Sequence, residues 1–123
     1  MMDQRTLNII NICKGNTKYN KPGRVYDAIR DYMAEEYMVD ACYYSEYDVN
    51  LELYNAMRDY LDHCDKPSFF MWCLHNVMHK HNWDMYHAIA VVFSAYTQVK
   101  DNNGNYINGF DDRIHALDKE DTQ

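Results

Sequence analysis

Five of the six histidines in this 123-residue chain (His63, His75, His79, His81 and His87) fall within residues 63–87, with Cys64 and Cys73 among them. Imidazole nitrogens and thiolates are the common ligands of zinc, and two histidines four residues apart on a helix share a face and can grip one ion. His75 and His79 have that spacing. A zinc site needs two further ligands, or one and a water. His63, Cys64 or His87 could supply them only where turns bring them to the pair. On a helical wheel Phe70, Cys73, Leu74 and Val77 form an apolar stripe, while His75 and His79 lie on the far flank beside Trp72. Cys73 therefore points away from the pair. The run His75-Asn-Val-Met-His79 also lacks the glutamate that metalloproteases carry next to the first histidine as general base. The group reads as surface histidines on an amphipathic helix, with a His/Cys metal-binding module at His75 and His79 as the alternative. No cofactor is expected.

Other catalytic signatures are missing. The chain has four glycines in all, and neither a GxSxG elbow, a phosphate loop nor a GxGxxG turn. His63 precedes Cys64, but neighbours on a helix point about 100° apart, a poor geometry for a base and its nucleophile. The chain reads as a binding protein rather than an enzyme.

The chemistry that remains is charge and aromatic surface. The formal charge of −7 is unevenly placed: residues 1–26 carry +4, residues 27–65 carry −9, residues 66–100 carry +2 and residues 101–123 carry −4. Phosphate repels such an acidic block, so nucleic acid is not expected as the direct ligand. A protein with a basic surface is, including one that itself binds nucleic acid and meets a mimic of it here. Four of the twelve tyrosines, Tyr37, Tyr43, Tyr44 and Tyr47, crowd into the same block. Tyrosine buries a large ring yet keeps a polar tip, which suits it to an interface. The candidate partner-binding residues are therefore Asp31, Glu35, Glu36, Asp40 and Glu46 for pairing, with Tyr37, Tyr43, Tyr44 and Tyr47 as anchors. Tyr32 and Tyr60 read as core filler instead.

These side chains must be held by helices. Val25-Tyr-Asp-Ala-Ile-Arg-Asp-Tyr-Met33 is echoed 28 residues on by Leu53-Tyr-Asn-Ala-Met-Arg-Asp-Tyr-Leu61, and more weakly, 32 further, by Met85-Tyr-His-Ala-Ile-Ala-Val-Val-Phe93. Apolar residues recur in each copy at i, i+3, i+4, i+7 and i+8, one face of a helix. The drifting period and the lack of signature residues favour a bundle of unlike helices over a solenoid. The third copy is apolar nearly all round and is expected at the centre, with Arg30-Asp31 and Arg58-Asp59 of the first two in water.

The spacing predicts helices over 4–14, from about 24 to the region of 37–43 with a break near Val39-Asp40, from a cap at Asp48 or Asn50 to His63, over 68–80, and over 83–98 with Asn82 as cap. A strand rivals the first, because Ile9, Ile10 and Ile12 are β-branched. Asp101-Asn-Asn-Gly104 could turn a short hairpin. The expectation is an all-α compact bundle of about five helices with a possible short C-terminal β-hairpin: a helical domain over 1–100, then a turn or hairpin and a charged, frayed tail over 101–123. No apolar run nears 18 residues, no leader is seen, and the four cysteines lack a CxxC. These features point to reduced thiols, no membrane and a cytoplasmic location, in the host cell if the chain is viral.

The functional expectation is a small acidic protein-binding module or inhibitor. Short, acidic, Tyr-, Asn- and Met-rich chains of this profile occur among accessory and anti-defence proteins of phages and mobile elements, an analogy of profile with no motif behind it. A self-assembling structural subunit, such as a homodimer with a Tyr/Met seam, is a further alternative.

Overall fold

The computed structural model describes residues 2–20, 24–64, 66–96, 99–100 and 106–107. Among these residues five α-helices carry the fold: α1 (Gln4–Cys13), α2 (Val25–Tyr37), α3 (Glu46–His63), α4 (Pro67–His81) and α5 (Met85–Tyr96), with a 3-10 turn at Ala41–Tyr43 between α2 and α3. The all-α expectation holds. Val99–Lys100 pairs antiparallel with Tyr106–Ile107, but the turn and the tail expected around them lie outside the described residues.

Local chemistry sets the helix ends. Asp3 caps α1 by accepting from the Arg5 N–H at 3.0 Å, and this saturated start decides for helix over strand. The helix closes on Gly15 (φ 79°) with the Asn16 N–H reaching the Asn11 carbonyl at 3.0 Å, the bond that typifies a left-handed helix terminus. Ser45, not Asp48 or Asn50, caps α3. Its side chain accepts from the Asp48 N–H while the Asp48 carboxylate accepts from the Ser45 N–H, so Asp48 serves as the reciprocal member of a capping box. Pro67 opens α4, where a missing N–H is harmless. Asn82 does not cap α5 but ends α4 in the left-handed region (φ 54°). Asp84 takes the capping role, accepting from the His87 N–H at 2.9 Å.

The three repeated stripes bury the same register. Ala28, Ile29, Tyr32 and Met33 are buried, as are Leu53, Ala56, Met57 and Tyr60, and Ala88, Ile89, Val92 and Phe93. Ile9, Ile10, Ile12 and Cys13 of α1 join them, with Phe70, Cys73, Leu74 and Val77 of α4. Tyr60 sits 5.1 Å from Phe70 and 5.8 Å from Phe93 between ring centroids, with Phe70 5.5 Å from Phe93. This aromatic trio joins α3, α4 and α5, and such pairs add roughly 0.5–1.5 kcal/mol each beyond area burial. Helix α5 packs on α1, α3 and α4, as its all-round apolarity predicts. Helix α3 is less peripheral than expected, touching α1, α2, α4 and α5, whereas α2 packs chiefly on α1, α3 and the 3-10 turn. Among the described residues no helix is long and apolar enough to cross a membrane.

The acidic, tyrosine-rich corner between α2 and α3

The candidate interface is built where α2 stops. The Met38 and Val39 N–H groups both turn back to the Ala34 carbonyl, and the chain swings through the 3-10 turn into the capping box of α3. This reversal throws side chains outward. Seven large hydrophobic side chains are exposed among the described residues, and six lie within residues 37–51: Tyr37, Met38, Val39, Tyr43, Tyr47 and Leu51, with Trp72 as the seventh. Met38 is 91% exposed, Tyr43 79% and Tyr47 71%. An open depression of about 600 Å³ is lined by Ala34, Glu35, Met38, Val39, Asp40 and Tyr43.

The structure therefore gathers Glu35, Asp40 and Tyr43 of the predicted set around one hollow. Tyr37 and Tyr44 meet at 6.2 Å between ring centroids, with Tyr44 half-buried against the core. Glu46 stands apart, at the N-terminal end of α3. There it and Asp84, after burial itself, help push the Tyr26 hydroxyl up to about 12. Asp31, Glu36, Asp40 and Glu46 are exposed and make no ion pair among the described residues.

Glu35 and Glu52 of the block are among the acids already used inside the chain. Lys18 donates to Glu35 at 2.9 Å, and that bond, then Tyr19, holds the Glu35 carboxyl below the usual range. Arg5 donates to Glu52 at 2.7 Å while its guanidinium lies 5.0 Å from the centre of the Tyr37 ring. Glu52 is nearly buried, and burial lifts its carboxyl above the usual value against the pull of Arg5.

Sequence reasoning missed the role of Asp59. Expected in water, it instead binds α1 to α3, accepting from the Thr6 hydroxyl at 2.6 Å and the Asp3 N–H at 2.9 Å. His63 lies 3.2 Å from its other oxygen. Arg30 is also drawn in, with a buried Nε that has no hydrogen-bond partner among the described residues. Asp31 and Arg58 are exposed as expected.

The histidines do not converge. His75 and His79 are exposed on α4, His81 stacks on Trp83 at 4.3 Å and His87 stands perpendicular to the same ring at 4.5 Å between centroids. Among the described residues no three His, Cys, Asp or Glu side chains come together as a metal ion would require. The chain matches no protein-family model, no curated protein and no solved structure.

Proposed function

We propose that this chain is a protein-binding module, or an inhibitor, that docks a basic partner on the corner between α2 and α3. The observation that supports this reading most is the concentration of exposed apolar side chains in residues 37–51, set near Asp31, Glu36, Asp40 and Glu46, which make no ion pair among the described residues. Large exposed apolar side chains ringed by polar ones mark interaction sites. The acids favour a partner rich in Arg and Lys, steer its approach, and repel a second copy presenting the same face. A partner whose basic surface normally holds nucleic acid would be blocked by occupancy, which agrees with the anti-defence profile of the sequence.

The test is a triple reversal, Asp31→Lys, Glu36→Lys and Asp40→Lys, which spares the acids engaged in internal ion pairs. Wild-type protein on a matrix is expected to capture basic proteins from a cell extract and release them as salt rises past about 0.15 M, where surface charges are screened. The variant should capture none of them while keeping its far-ultraviolet circular dichroism. An unchanged captured set would exclude this face as the site.

A further inference from the structure

Among the described residues three helices end on a residue in the left-handed region: α1 on Gly15 (φ 79°), α4 on Asn82 (φ 54°) and α2 on Met38 (φ 58°). Glycine adopts this conformation freely, and asparagine tolerates it. Methionine has neither exemption, because its Cβ crowds the following carbonyl. Nor does Met38 gain packing in return, since its side chain is 91% exposed. The chain thus uses the two residue types suited to the job at two helix ends and an ill-suited one at the third. No packing among the described residues accounts for a methionine here. Its unbranched, polarisable thioether adapts readily to an apolar surface.

The chain also shows how its surface holds a cation. Arg5 is bracketed by the Glu52 carboxylate and the Tyr37 ring. Lys18 is bracketed by Glu35 and by the Tyr19 ring at 5.2 Å. Beside Met38, Asp40 and Tyr43 line the same hollow and bring a carboxylate and an aromatic ring to it. A planar guanidinium satisfies both at once, forking onto the carboxylate and lying on the ring, where an ammonium does so less well.

We propose that the hollow takes an arginine-bearing segment of a partner protein, an apolar residue of that segment seating on Met38 while its arginine is gripped by Asp40 and Tyr43. This rests on the protein-binding reading and names the anchor and the chemistry of the partner.

The test uses two synthetic 16-residue helical peptides with leucines on one face and four cations flanking them, arginine in one and lysine in its twin. The full chain carries ¹³C-labelled methionine methyls, and affinity is measured by calorimetry. The arginine peptide is expected to shift the Met38 methyl and to bind about threefold more tightly than the lysine twin. Met38→Asn is expected to weaken that binding at least about tenfold, as loss of a central anchor does, while melting about 3 °C higher because the strained terminus is relieved. Equal binding of the two peptides, or full binding by the Met38→Asn variant, overturns this proposal and leaves the acidic-face reading standing. A variant that binds weakly but also melts lower overturns the anchor argument, because Met38 would then be structural. If neither peptide shifts any methionine methyl and the triple reversal above changes no capture, both readings fail.

Discussion

Cutting away the Asp59 carboxylate is expected to loosen α1 from α3. One carboxylate oxygen accepts both the Thr6 hydroxyl at 2.6 Å and the Asp3 N–H at 2.9 Å. Thr6 is buried, at 4% exposure, so Asp59→Ala strands its hydroxyl away from water. A hydrogen bond to a charged group contributes about 1.5–3 kcal/mol, and a stranded buried partner costs about 1–3. The Asp59 side chain is itself 25% exposed, so water repairs part of the loss and about 3 kcal/mol is the expected total. In a domain this size that lowers the melting point by roughly 10 °C. Asp59→Asn keeps an acceptor oxygen in place and should cost only about 1 kcal/mol. Urea unfolding followed by circular dichroism measures both. Thr6→Val with Asp59→Ala removes donor and acceptor together, so the double variant should be less unstable than the sum of the singles. If Asp59→Ala lies within about 0.5 kcal/mol of wild type, the level of an ordinary surface change, the carboxylate is not the clasp described here.

Acid offers a second check on the same residue. Burial pushes the Asp59 carboxyl up, but the Thr6 and Asp3 hydrogen bonds and the charge of His63 outweigh it and hold the native value below the usual range. The unfolded chain therefore takes the proton first, so this stabilisation is complete above about pH 4 and is lost as pH falls through the native value. The gap between wild type and Asp59→Asn should close over that interval. Glu52 acts with the opposite sign: its native carboxyl is raised by burial, so its ionised form subtracts stability at neutral pH and protonation restores it as pH falls. In Glu52→Gln that acid-side gain should disappear from the stability profile.

Two further outcomes follow from burial. Arg5→Ala leaves the nearly buried Glu52 carboxylate without its cation and should cost about 1–2 kcal/mol; pairing it with Glu52→Gln should recover most of that, as urea unfolding of the three variants would show. Thiol titration should find Cys42 fast, Cys64 slower, and Cys13 and Cys73 unreactive until the chain unfolds. Burial pushes the Cys13 thiol up to about 12, far from its reactive thiolate form; a fast Cys13 or Cys73 in the native state would contradict the packing of α1 or α4.

The apolar periodicity carried the core. The wheel placed Phe70, Cys73, Leu74 and Val77 inside and His75 and His79 outside, which is where they lie, because burial of a stripe depends only on the helix that bears it. Capping was harder to read. Ser45, Asp48 and Asn50 can all accept from a helix N–H, and the start moves to Ser45 because only there do both halves of the capping box close. The tertiary pairs were not legible. Arg5 meets Glu52 across 47 residues and Thr6 meets Asp59 across 53; which flank of α3 receives α1 is decided by packing between helices. Asp59 therefore looked like its counterpart Asp31, which does face water. The exposure of residues 37–51 was visible only in part: crowded tyrosines signalled it, but Met38 carried no sequence mark until its backbone conformation was known.

The position of α1 in the core also bears on how the polypeptide is made. Ile9, Ile10 and Ile12 are fully covered only once α3 and α5 are in place, and α5 begins about 70 residues after α1 ends. At a synthesis rate of about 5–20 residues per second, roughly 4–14 s pass on the ribosome between the two. Throughout that interval the side of the first helix that packs on α5 stays uncovered, even after α2 and α3 have emerged. Nascent α1 is thus a natural client for a holding chaperone. A transcript cut short before α5 should yield a sticky fragment fit for proteolysis rather than a smaller working domain.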